Sequence, residues 1–169
     1  MVLFDLLSQL TSHELRLMAA HLHLTRRKQQ RAEWIALIQA QWQQEASRTR
    51  LLNQLSLSAC RALWRLASCQ QVAASLFLGE FGTIHATGRR RSQTSLPLSA
   101  QAKTRTSPFT VTQELFQMAL LFGAEGEPIE QAQWLLVPDD LRPLLVEWLQ
   151  RQLQRWRLSA AEASAPSLF

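Results

Sequence analysis

Apolar residues recur at three- and four-residue intervals along most of this 169-residue chain, a spacing that commits the backbone to short helices packed through one face. The pattern appears three times in the first fifty residues. Leu3, Leu6, Leu7 and Leu10 form the first stripe. Thr11-Ser12-His13-Glu14 then has the form of a capping box and opens a helix expected to bury Leu15, Met18, Ala19 and Leu22. After a basic break from Thr25 to Arg31, Trp34, Ile35, Ile38 and Trp42 make the third stripe.

The periodicity continues over Leu51 to Leu66, as one helix or as two pieces broken near Ser56-Leu57-Ser58. Ser56 or Ser58 would cap the second piece, with Leu63, Trp64 and Leu66 facing inward. Val72 to Phe81 reads as a further short helix, with Val72, Leu76 and Phe77 apolar and Gly82 as its stop. Thr110 or Thr112 caps a helix from Gln113 to Leu121 whose core face is Leu115, Phe116, Ala119 and Leu120. Glu114, in the opening of that helix, is expected to serve as a cap partner. The best strand candidate is Gln133 to Val137, paired with Leu121-Phe122 across a turn holding Gly123, Gly126 and Pro128. Pro138-Asp139-Asp140-Leu141 opens a last helix that carries Leu144, Leu145, Trp148 and Leu149 to about Leu158. The fold class expected is therefore mainly α with a small β-hairpin. It divides into a helical module over 1–50, a second domain over 51–158 with a long basic linker at 86–107, and a flexible tail over 159–169.

Charge is distributed unevenly over this frame. Residues 1–113 carry 14 Lys and Arg against 5 Asp and Glu, while residues 114–169 carry 4 against 8. From Thr83 to Gln113 there are four arginines, one lysine and no acidic residue. Sixteen of the 18 basic residues are arginine, which pairs bidentately with phosphate and stacks on bases. A sequence pI near 10.5 and a basic front half point to a polyanionic partner, of which nucleic acid is the usual one. The candidate contacts fall in two clusters. Arg26, Arg27, Lys28 and Arg31 lie between two helices, and Arg89, Arg90, Arg91, Lys103 and Arg105 lie in the linker.

Two resemblances sharpen this expectation. Glu14-Leu15 through Leu22-His23-Leu24, followed by Arg31-Ala32-Glu33-Trp34-Ile35, resembles a SAP-like module, a helical hairpin that contacts DNA; the usual loop glycine is absent. Phe77, Phe81-Gly82, Pro108, Thr110, Glu114-Leu115, Leu121-Phe122 and Val137 to Leu145 follow the order seen in a bacterial family. That order is similar to the helicase-associated, winged-helix-like region of bacterial proteins related to the N-terminal part of XPB-type helicases. The similarity covers about residues 51–147, with VPDDLRPLL its most specific piece. It departs where RRRSQTSLPLSAQAKT replaces an aromatic-rich linker and where Phe116-Gln117 replaces a tyrosine pair. The resemblance implies a winged-helix-like domain after a SAP-like hairpin, and a DNA-related accessory role.

No catalytic constellation emerges. The phosphate-binding loop G-x-x-x-x-G-K-[ST] is absent, so no ATP-driven motor is expected. His21 and His23 are two apart and point to different sides of a helix, and Cys60 and Cys69 have no zinc spacing. Both cysteines are expected to be reduced core residues. Asp139 and Asp140 read as a helix N-terminus, and Trp34, Trp42, Trp64, Trp134 and Trp148 as core, with Trp156 exposed. No cofactor, metal, membrane or small-molecule substrate is expected. The N-terminal stretch carries Asp5 and lacks the positive region of a signal peptide, so a reducing cytoplasm is the expected location. The function expected is non-catalytic, largely sequence-independent DNA binding, in support of a helicase or nuclease in DNA repair or processing. An adaptor docking through its acidic C-terminal half is the alternative, and a winged-helix transcription regulator the third reading.

Overall fold

The computed structural model describes residues 1–24, 29–84 and 110–163, with side chains given up to residue 155. Among them are helices α1 (Leu3–Gln9), α2 (Ser12–His21), α3 (Arg31–Gln43), α4 (Glu45–Leu52), α5 (Leu57–Ala67), α6 (Ala74–Phe81), α7 (Val111–Gln117) and α8 (Arg142–Ala163). Strands β1 (Val72–Ala73), β2 (Phe122–Gly123) and β3 (Trp134–Leu136) form one antiparallel sheet in the order β1-β3-β2. The protein is thus mainly helical, with a three-stranded sheet where a two-stranded hairpin was expected.

The expected stripes set the core. Leu3, Leu6, Leu7, Leu15, Met18, Ile38, Trp42, Leu63 and Leu66 are all buried, in one hydrophobic cluster that continues through Phe77, Leu115, Phe122, Leu135 and Leu149. The capping box forms as expected. Glu14 N–H donates to Thr11 Oγ1 at 3.2 Å, and Thr11 N–H donates to Glu14 Oε2 at 2.7 Å. Two bonds from the N-terminal helices reach far along the chain. Trp42 Nε1–H donates to the Met118 carbonyl at 3.1 Å, and Leu3 N–H donates to Asp140 Oδ1 at 2.8 Å.

Several expectations need correction. The Leu51 to Leu66 stretch is two helices parted at 53–56, with Ser56 capping the second as expected, but the first piece begins earlier, at Glu45. Val72 is not helical: Val72 pairs with Leu135 and Ala73 with Trp134, because β3 offers backbone partners that a helix start would forgo. With Val72 outside the helix, the inward stripe of α6 is Ala74, Phe77, Leu78 and Phe81, and Leu76 falls off it at 63% exposure. Trp134 is 46% exposed, since strand alternation sends it opposite to the buried Leu135. Helix α7 stops at Gln117 because Ala119 takes φ 58°; Ala119 and Leu120 are buried, but in the turn that ends the helix. Cys60 is buried as expected, whereas Cys69 is exposed.

The VPDDLRPLL segment has a structural role in this fold. Asp139 N–H donates to the Met1 carbonyl at 3.0 Å, and the Asp139 carboxylate pairs with the Met1 ammonium. Asp140 satisfies the first N–H of α1, so these carboxylates hold the start of the chain in addition to preceding α8. Arg142 donates to the carbonyls of Leu66, Cys69, Gln70 and Val137, closing the C-terminal end of α5.

Candidate nucleic-acid interface

The place where the basic linker joins the described structure is built from α6 and α7. Helix α6 ends at Phe81, and Gly82 N–H donates back to the Leu78 carbonyl at 3.0 Å. Gly82 sits at φ 88°, and a Cβ there would lie 2.9 Å from Thr110 Cγ2, so the position requires glycine twice over. Thr110 Oγ1 donates to the Thr83 carbonyl at 2.8 Å and accepts Gln113 N–H at 3.1 Å as the α7 cap. Thr112, fully buried, donates its hydroxyl to the Gly82 carbonyl. Two threonines therefore staple the chain's exit at 82–84 to its return at 110–112. Residues 85–109 are attached at both ends to this one spot, and their sequence contains Arg89, Arg90, Arg91, Lys103, Arg105 and no carboxylate.

Of the nine basic residues singled out from sequence, Arg31 is described. Arg26, Arg27 and Lys28, and the five linker residues, lie outside the described residues. Arg31 is exposed and donates to the carbonyls of Ser8 and Leu10, at the C-terminal end of α1. It thus closes the α1–α3 corner and leaves the rest of its guanidinium facing solvent.

A cation pair that sequence reading missed lies beside the threonine staple. A cleft of about 330 Å³ is lined by Ser58, Arg61 and Arg65 of α5, by Glu80 and Phe81 of α6, and by Val111. Arg65 pairs with Glu80, both partners being about half exposed. Arg61 makes no ion pair or hydrogen bond among the described residues. The spacing 58, 61, 65 is one polar stripe of α5, opposite its buried face of Ala59, Cys60, Leu63 and Leu66. The signal was present, but a polar helix face has that spacing whether or not it binds anything.

The titratable groups elsewhere serve the fold. Glu114 does not close its own helix. It accepts Ser56 N–H and the Ser56 hydroxyl, each at 3.0 Å, and so completes the cap of α5 from another helix. Burial, with Glu114 nearby, pushes the Cys60 thiol up to about 11, far from a reactive thiolate. Burial lowers the pKa of His21, against the pull of Glu114. Among the described residues no three His, Cys, Asp or Glu side chains converge as a metal site, and no helix is long and apolar enough to cross a membrane. Compared with known proteins, the chain matches no protein-family model, no curated protein and no solved structure.

Proposed function

We propose that this chain is a non-catalytic DNA-binding accessory protein that contacts phosphates largely without regard to base sequence, in support of a separately encoded helicase or nuclease. The observation that carries the reading is the threonine staple. It joins residues 82–84 to 110–112 beside Arg61 and Arg65, and the segment between these attachment points is acid-free in sequence and carries five cations, a composition suited to a polyanion. Arg26, Arg27, Lys28 and the five linker cations enter this proposal from their sequence alone.

The order of elements supports the winged-helix-like assignment. Helix α5, β1, α6, α7, β2 and β3 follow one another, and the sheet runs β1-β3-β2. In such an arrangement α7 would be the helix offered to a DNA groove. Here α7 packs under α2, its Leu115 and Phe116 are buried, and Trp42 covers its end. A buried α7 favours phosphate contact through basic segments over base reading by a helix, and so favours the accessory reading over a transcription regulator. The adaptor alternative draws on the acidic C-terminal half, of which Glu114, Asp139 and Asp140 hold other elements of the chain.

The test is a salt series of gel shifts on single-stranded, duplex and forked DNA. With about four to six phosphates neutralised, the log–log slope on duplex is expected at roughly −3.5 to −5.5. Absence of binding at low salt, or affinity set mainly by base sequence, would defeat the proposal.

A further inference from the structure

We propose that the cleft between α5 and α6 is a phosphate site for the sugar–phosphate backbone of DNA, in which Glu80 competes internally for Arg65. The inference rests on the DNA-binding reading and adds to it two contact residues and a counter-residue outside the basic clusters visible in the sequence.

Three observations carry it. First, the cleft, at about 330 Å³, is roomy enough for a phosphodiester, and Ser58, Arg61 and Arg65 of one helix line it together. Second, Arg61 is unneutralised by any described residue, and the segment 85–109 tethered beside it has no carboxylate in its sequence. Third, the one acidic side chain in the cleft, Glu80, already occupies Arg65 with an oxygen anion in the manner of a phosphate. That pair is exposed and single, so solvent screens it and a polyanion can displace it. Phe81 and Val111 supply an apolar wall on which a deoxyribose can rest. DNA backbone is favoured over a free anion because the cleft adjoins the point where the acid-free segment 85–109, with five cations in its sequence, joins the fold. A strand crossing from the linker attachment would place successive phosphates along α5.

The experiment measures fluorescence anisotropy of a labelled duplex across salt concentrations. It compares the parent with Arg61→Ala/Arg65→Ala, Arg61→Lys/Arg65→Lys, Glu80→Gln and Glu130→Gln, each checked for folding by circular dichroism. Removing two neutralised phosphates is expected to flatten the log–log salt slope by about 1.8, since each contributes about 0.9. The double lysine variant keeps the charge and is expected to keep the slope, at lower affinity. Glu80→Gln is expected to bind several-fold tighter than the parent. Glu130→Gln changes the net charge equally, lies in the connection to β3, and is expected to bind as the parent does. The proposal is overturned if the double alanine variant retains the parent slope, or if the two Glu→Gln variants behave alike. It is also overturned if millimolar inorganic phosphate raises the parent's melting temperature while DNA affinity ignores the arginines, which makes the cleft a free-anion site. If the parent itself fails to bind at about 50 mM salt, the DNA reading falls and this proposal falls with it. If the parent binds and the cleft variants change nothing, the cleft alone is rejected.

Discussion

Replacing Trp42 by phenylalanine tests how firmly the N-terminal helices are built into the rest of the molecule. The indole is 1% exposed, and its Nε1–H reaches the Met118 carbonyl across 76 residues of sequence. Phenylalanine cannot donate, so the carbonyl is left unpaired in a buried site, at a cost of about 1–3 kcal/mol. The smaller ring also vacates about 40 Å³, which at about 24 cal/mol per Å³ adds ~1 kcal/mol. The sum, about 2–4 kcal/mol, is a large part of the ~5–15 kcal/mol that holds a domain folded. Urea unfolding followed by far-UV circular dichroism is expected to give one transition, with a lower midpoint and an unchanged slope. A loss under about 0.5 kcal/mol would show that the bond is not what joins α3 to the end of α7. An early, separate melting of the N-terminal helices in the parent would refute the single cooperative core.

Gly123→Ala drives a methyl group into the Glu127 carbonyl oxygen, backbone that cannot rotate away; a drop in melting temperature of several degrees is expected, and a neutral result would show that the β2 turn is adaptable. Arg142→Met removes the donors that close α5, for an expected loss of about 1–2 kcal/mol by urea titration, moderated because Cys69 and Gln70 are exposed and water can replace the bonds there. His21, its pKa depressed chiefly by burial, contributes stability that is complete above about pH 6.5 and lost as pH falls through the lower folded value. His21→Asn should therefore flatten the fall in unfolding free energy between about pH 7 and 5, and an unchanged slope would exclude His21 as its source. Changing Arg89, Arg90 and Arg91 together to Ala should flatten the DNA salt slope by about one unit for each phosphate no longer neutralised and move stability by only about 0.5 kcal/mol each; undiminished binding would remove this run from the binding surface.

The parts legible in the sequence are those with a local cause. The stripes of α1, α2 and α3, the Thr11–Glu14 box, the Thr110 cap and the Gly82 stop each follow from neighbouring residues, and each stands where expected. What was not legible depends on partners remote in sequence. Strand β1 exists because β3 lies beside it, and Trp134 faces out because Leu135 faces in. Glu114 had the right role and the wrong recipient, since nothing within α7 announces that Ser56 will arrive. At the candidate interface, Arg31, expected with the basic residues between two helices, is the first residue of α3 and bonds the Ser8 and Leu10 carbonyls, partners that nothing near it in sequence announces. Arg61 and Arg65 read as an ordinary solvated face until Glu80 and Phe81 of α6 walled them in.

The bond from Leu3 to Asp140 spans 137 residues, and it sets a timetable for synthesis. A nascent chain emerges at roughly 5–20 residues per second, so α1 waits on the order of ten seconds or more for the carboxylate that completes its first turn. Met118 likewise reaches the surface of the ribosome long after Trp42. Helices of this length are marginal alone, so until α4, α5 and α7 emerge the leucine stripes of α1, α2 and α3 have only each other. The contact between the start of α1 and Asp140 therefore forms late, once the DDLR segment has cleared the ribosome.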